Sequence, residues 1–259
     1  MLESYKRNKV VALVGEAGAG KDSFFESASR LASRRGLELL NFKFAGPIHE
    51  AARAMCPEYT SYSTKDAVVD VHLGVDFLEW CREVAGVLNV CDVGLLNTVE
   101  AVFNNSNGIT PLGGGHYTGT LRRFMEVLGT EVMREKFGED SWVDILRSKL
   151  NELEYPHQGA VLTDTRFLNE FSVADGGVVL IIREDRPVLA PVSGLHESAQ
   201  LAHSLTKMAW EYKTYGTESS VAGIQEVVRS GGSELILIVE SYNQSGAIKF
   251  RPVWGTLHG

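Results

Sequence analysis

The order of apolar runs in this 259-residue chain predicts an α/β protein of the P-loop NTPase type, with a parallel sheet flanked by helices. Three observations carry that expectation. Five or six apolar runs of strand length alternate with longer segments of helical periodicity. The runs are continuously apolar, as in strands covered on both faces. The first of them leads through a glycine-rich loop into a helical pattern, which is the order a phosphate-binding loop requires.

The first strand is "VVALV" (10–14), followed by "GEAGAGKDS" (15–23). Phe24, Ala28, Leu31 and Ala32 then fall at helical spacing, and Gly36 stands where a helix commonly stops. "LELLNFKF" (37–44) is the second strand. The stretch 55–119 separates strands by far more than one crossover helix needs, and reads as a partly helical insertion that ends in the loop-like "NNSNGITPLGGGHYTG". A helix over Leu121 to Phe137 presents Leu121, Phe124, Leu128 and Val132 on one face. Ser141 and Asp144 form a candidate capping box for a third helix carrying Ile145, Leu146 and Leu150. Further strands are expected at "AVLTD" (160–164), "VVLII" (178–182), a weaker "MAWEY" (208–212) and "LILIV" (235–239). The polar, proline-containing stretch 183–198 is a lid candidate within what is otherwise one domain.

A composition of 44% hydrophobic and 22% charged residues suits a packed core. No apolar run reaches the ~18 residues of a membrane span, and "MLESYKRNK" lacks the apolar stretch of a signal peptide. A cytoplasmic protein with no membrane partner is the expectation. Cys56, Cys81 and Cys91 are odd in number and widely spaced, which argues against a disulfide framework or thiolate zinc site. The net charge of −8 disfavours nucleic acid as a partner, although a small anion suits locally gathered basic residues.

Gly15, Gly20 and Lys21 satisfy G-x-x-x-x-G-K, with Gly18 adding backbone freedom. Such a loop turns successive N–H groups toward phosphate oxygens, and the lysine adds a point charge. Asp22 cannot supply a hydroxyl to magnesium, so Ser23 takes that role. Asp164, at the end of a predicted central strand, is placed either to hold magnesium or to orient an attacking oxygen. Arg166 is the candidate for bidentate phosphate binding. Arg122, Arg123 and Arg134 form a basic cluster that is either a solvated face or the neighbourhood of an anionic substrate. Gly129, inside a helical pattern, marks a close approach of ligand or a helix break. Trp142 either stacks on a base or belongs to the core. Arg183 and Arg186 would close over phosphates or form an ordinary charged loop. His196 is ambiguous, and the histidines as a set show no metal-ligand spacing.

The motifs "GEAGAGKDS", "FAGPIHEAAR", "LGTEVMREKFGEDSWV", "LTDTRFLNE" and "HES", in this order, resemble those of the bacteriophage deoxynucleoside monophosphate kinases. The resemblance spans most of residues 9–217, and "GKDS" matches that family's habit of an acidic residue and then Ser or Thr after the loop lysine. It implies transfer of the γ-phosphoryl group of ATP to a deoxynucleoside 5′-monophosphate, with magnesium, in the cytoplasm of the host cell if the chain is phage-encoded. Gly15, Gly18, Gly20, Lys21, Asp22 and Ser23 would hold ATP. Ile48, His49, Arg53, Arg123, Gly129, Thr130, Arg134, Trp142, Asp164, Arg166 and Glu170 would form the substrate side. His49 stands where the family commonly has lysine. Beyond Thr217 the resemblance fades, leaving "LILIV" and "AIKFRPVW" as sheet extension or subunit contact, the latter in a homodimer. The rivals are a P-loop kinase of another phosphorylated metabolite, such as dephospho-coenzyme A, and an ATP-binding module without catalysis.

Overall fold

The computed structural model describes residues 9–59, 66–72, 74–105, 116–153, 158–185 and 197–256. They fall into two compact units, one formed by residues 1–43 with 152–259, the other by Phe44–Asn151.

The first unit is α/β with a mostly parallel sheet. Its strands are β1 (Val10–Val14), β2 (Glu38–Phe42), β5 (Gln158–Leu162), β6 (Gly177–Arg183), β7 (Ile236–Gln244) and β8 (Ala247–Gly255), in the spatial order β2-β5-β1-β6-β7-β8. All neighbours pair in parallel except β7 and β8, which are antiparallel. The chain leaves β1 toward β2 on one side and leaves β6 toward β7 on the other. The strand order therefore reverses beside β1, where open α/β sheets bind ligands at the carboxyl ends of their strands.

Side chains alternate across a strand, so consecutive buried residues report cover on both faces. In β1, Leu13 packs on one face with Val161, Val179, Ile181 and Val239, with Phe24, Phe25 and Phe250 against that cluster. The opposite positions Ala12, Val14, Leu180, Ile182 and Ile238 are buried as well. The expected cover on both faces fails at β2, which is an edge strand whose positions are half-buried or exposed.

Helix α1 (Lys21–Ser33) packs against β2 and stops before Gly36, whose φ is 72°. Leu31 departs from the expected inward face of α1 and is 60% exposed. The expected strand at 208–212 is helical, inside α8 (Glu197–Tyr215). Its short apolar triplet belongs to a longer pattern in which Ala202, Leu205 and Ala209 are buried at helical spacing. Helix α9 (Glu218–Ser230) packs on α8. The tail "AIKFRPVW" extends the sheet as β8. This edge carries Lys249, Arg251 and Pro252, residues that disfavour further strand addition.

The second unit contains α2 (Gly46–Met55), α3 (Val75–Val87), α4 (Asp92–Asn105), α5 (Leu121–Glu126), α6 (Glu135–Phe137), α7 (Ser141–Asn151) and a two-stranded antiparallel sheet of β3 (Val68–His72) with β4 (His116–Thr120), strands separated in the chain by α3 and α4. Phe124 of α5 is the hub of its aromatic core, with ring centroids 5.9 Å from Phe77, 5.2 Å from Phe103 and 5.4 Å from Tyr117. Leu121, Phe124, Leu128 and Val132 are buried as their spacing predicts. The expected continuous helix is nevertheless broken in type, because Val127–Arg134 is π-helical. The expected capping box is also absent: Ser141 is already the first helical residue, and its buried hydroxyl has no hydrogen-bond partner.

Among the described residues no single helix is long and apolar enough to cross a membrane. Helices α3 and α4 meet that test only as a pair bent by 115°, and their Phe77, Trp80, Leu95, Val99 and Phe103 are core residues of the second unit. The cysteines are free, and burial pushes the Cys81 thiol up to about 12.

Candidate phosphate-binding site

Residues 15–20 leave the carboxyl end of β1 and enter α1 directly. Two glycines make this turn sterically feasible. A Cβ on Gly15 would stand 2.5 Å from the Ile181 carbonyl oxygen of the neighbouring β6, closer than nonbonded atoms tolerate. Gly20, the N-cap of α1, has φ 93° and ψ 23°, the left-handed region that costs an L side chain about 1–2 kcal/mol. Gly18 is exposed, and its carbonyl accepts from Arg183 Nη1 at 3.5 Å.

Lys21 folds back over this turn, its Nζ donating to the Gly15 carbonyl at 2.6 Å and the Glu16 carbonyl at 3.0 Å. Burial, and next the Arg166 guanidinium, holds its ammonium below the ordinary 10.5, while Asp22, Asp164 and Glu16 act in the opposite direction. Lys21, Asp164 and Arg166 therefore share one electrostatic neighbourhood, as their positions after β1 and β5 imply. Asp164 is half-buried and lies two residues beyond β5 instead of at its last position; Arg166 is exposed.

Glu170 fixes the backbone that carries Arg166. Its buried carboxylate accepts the N–H groups of Arg166 at 2.6 Å and of Phe167 at 3.0 Å through Oε2. Two charge-assisted bonds to one oxygen pin the turn after β5. Asp22 is exposed and pairs with Lys43 at 3.6 Å, just past β2; Ser23 lies half-buried in the first turn of α1. Arg183 is held by Asp185 through Nε at 2.8 Å and Nη2 at 2.7 Å. Arg186 and His196 lie outside the described residues, as does most of 183–198.

Several residues that sequence reasoning left aside also hold the turn. Ser241 of β7 donates its hydroxyl to the Ala19 carbonyl at 2.9 Å. Phe250 of β8 meets Phe24 edge to face at 5.1 Å. Buried His203 of α8 approaches Glu16. They come from strands and a helix far along the chain, so no local spacing announces them. A histidine on the buried face of a helix is the one signal the sequence offers.

The remaining expected site residues belong to the second unit. Ile48 packs against Gly129, where a Cβ would stand 3.1 Å from Ile48 Cδ1. Trp142 is buried and donates Nε1–H to the Gly129 carbonyl at 3.0 Å, so both residues brace the π-helical stretch. Thr130 and Arg53 are exposed and Arg134 is half-buried. Two arginines of the basic cluster are neutralised locally: Arg122 binds Asp66 through Nε and Nη2, and Arg123 binds Glu131 at 2.9 Å. His49 Nδ1 lies 2.6 Å from the hydroxyl of buried Tyr59, with the two rings stacked. An open groove of about 520 Å³ runs between α4 and the π-helical stretch, lined by Asn97, Thr98, Ala101, Asn105, Glu131 and Lys136 among others.

Among the described residues no group of three His, Cys, Asp or Glu side chains is arranged to hold a metal ion by itself. The donor set of one hydroxyl, Ser23, and one carboxylate, Asp164, nevertheless fits magnesium, which commonly keeps waters and takes phosphate oxygens alongside one or two protein ligands. No family model matches this chain, and no curated protein matches its sequence.

Proposed function

We propose that the chain is an ATP-dependent kinase of deoxynucleoside 5′-monophosphates, using residues 15–23 as a phosphate-binding P-loop. The observation that carries this reading is the Lys21 ammonium, held over a glycine turn at the carboxyl end of β1 with Arg166 and Asp164 close enough to act on it. An ordinary tight turn needs no half-buried lysine folded over it, and the partial burial of its charge is repaid when an anion enters.

In this reading the loop N–H groups and the N-terminus of α1 bind the ATP phosphates, and Lys21 exchanges the Gly15 and Glu16 carbonyls for phosphate oxygens. Ser23 and Asp164 would hold magnesium, which neutralises phosphate charge when bound. Arg166, on a backbone pinned by Glu170, orients a phosphate through its planar fork. Arg183 adds a cation beside Gly18. Arg186 is part of the same proposal. On the acceptor side the family resemblance points to Ile48, His49, Arg53, Arg123, Gly129, Thr130, Arg134 and Trp142.

Phosphoryl transfer asks the protein mainly for positioning and charge stabilisation. A coupled ADP-release assay across the four deoxynucleoside monophosphates, with dephospho-coenzyme A as a control acceptor, tests the reading. Turnover with at least one of the four, lost in Arg166→Ala, is the expected result. MgATP binding without turnover would leave a nucleotide-binding module, and full activity of Arg166→Ala would remove Arg166 from the acceptor site.

A further inference from the structure

Glu16 occupies the second position of the loop, an unfavourable place for a carboxylate if anions bind there, since like charges a few ångströms apart repel. Its side chain, however, is turned toward α8. His203 Nδ1 and Glu16 Oε1 lie 2.8 Å apart, with the histidine side chain 5% exposed and the glutamate 31%. A carboxylate only accepts, so Nδ1 carries the proton in this pair. The ring cannot follow a moving loop, because Ala202, Leu205, Thr206 and Ala209 bury the same helix and α8 packs on β6. Glu16 is also close enough to Lys21 to act on its ammonium. That pull exists while His203 holds Glu16; without the ring the carboxylate is free to turn toward the ammonium.

We propose that His203 is a positioning residue for anion binding: it holds the Glu16 carboxylate away from the phosphate-facing side of the loop and keeps Lys21 available to phosphate. The proposal rests on the phosphate-loop reading above. It assigns no contact between His203 and nucleotide. Its signature is that the cost of removing the ring depends on the charge at residue 16.

Calorimetric titration of MgATP into the full-length protein tests this, with near-ultraviolet circular dichroism as the check of folding. His203→Leu should weaken binding by about tenfold, the scale of about 1.4 kcal/mol. His203→Asn, which keeps a donor near the Nδ1 position, should stay within about threefold of wild type, as should Glu16→Gln and the double variant Glu16→Gln/His203→Leu. A folded His203→Leu protein with wild-type affinity overturns the proposal, and so does a double variant as weak as His203→Leu, which would mean a packing role. If His203→Leu does not fold, His203→Phe with and without Glu16→Gln decides: a loss of about tenfold only where Glu16 is kept supports the proposal, and equal affinities in the two backgrounds overturn it. Absence of MgATP binding by the wild-type protein would overturn the phosphate-loop reading and this proposal together, whereas an unaffected His203→Leu removes this proposal alone.

Discussion

The carboxylate of Glu170 accepts the backbone N–H of Arg166 at 2.6 Å, so a buried acid four residues away sets the path of the chain that presents the arginine. Glu170→Ala would leave two N–H groups without their acceptor. A loss of about 2–4 kcal/mol in unfolding free energy is expected, measured by urea denaturation. Glu170→Gln, which keeps one acceptor oxygen, should lose less. Equal losses would show that charge, and not acceptance, holds the turn.

Gly15 and Gly20 are required for different reasons, and the variants should rank accordingly. Gly15→Ala places a Cβ 2.5 Å from the Ile181 carbonyl in the middle of the sheet, so backbone must move, at about 2–3 kcal/mol. Gly20→Ala meets nothing nearer than 3.6 Å and suffers only its left-handed φ, about 1–2 kcal/mol. Thermal unfolding of the two proteins would show the reverse order if strain outweighed the clash.

Lys21 predicts a pH dependence of stability. Its folded value lies below the ordinary 10.5, chiefly through burial. Between the folded value and 10.5 the unfolded chain holds more protons, so stability rises with pH through that window. The cost of burying the charge is fully present below it. Lys21→Met abolishes this titration, so the stability of the variant relative to wild type should fall as pH rises toward 10.5. Urea unfolding at about pH 7 and about pH 10 measures it; a constant difference would contradict the assignment.

Glu240 is 1% exposed on β7 and is bound by Lys213 of α8 and by Arg251 of β8, whose Nε donates to it at 2.6 Å. Arg251 also reaches Glu184 at 2.8 Å, tying β8 to the end of β6. Glu240→Ala removes the buried carboxylate that Lys213 and Arg251 share, so a loss of stability is expected on urea unfolding, limited by the exposure of both cations and by the Glu184 partner that Arg251 keeps. Adding Arg251→Ala should cost less than its effect in the wild-type background. Additivity within ~0.5 kcal/mol in a double-mutant cycle would mean the two side chains act independently.

Trp142→Phe tests the bracing of the π-helical stretch. The phenyl ring keeps much of the packing but gives up the pyrrole part of the buried indole together with the bond to the Gly129 carbonyl at 3.0 Å. A loss of about 1 kcal/mol in stability is expected. No measurable loss would mean that the indole nitrogen has another purpose.

The legible part of the fold is the part written in short-range pattern. The strands β1, β5, β6 and the start of β7 are continuous apolar runs because they are covered on both faces, and each was placed to within a few residues. The glycine turn was legible for a related reason: a left-handed N-cap and a close backbone approach admit almost no other residue. Where two patterns overlap, the sequence misled. "MAWEY" has the length of a strand, yet it belongs to a nineteen-residue helix whose burial repeats at 202, 205 and 209. The π-helical stretch has the apolar spacing of an α-helix, so its altered winding is not legible in the pattern; Ile48 and Trp142 meet it at Gly129 from elsewhere in the chain.

By itself the sequence determined the α/β class, the strand–turn–helix unit around Lys21 and the grouping of Asp164 with Arg166 two residues on, because propensity, glycine chemistry and period act over a few residues. Tertiary structure alone decided which distant groups restrain that unit: His203 from α8 on Glu16, Ser241 from β7 on the Ala19 carbonyl, and Phe250 from β8 on Phe24. Such contacts join positions separated by more than a hundred and eighty residues. They arise from the order in which the strands pair, which no local pattern encodes.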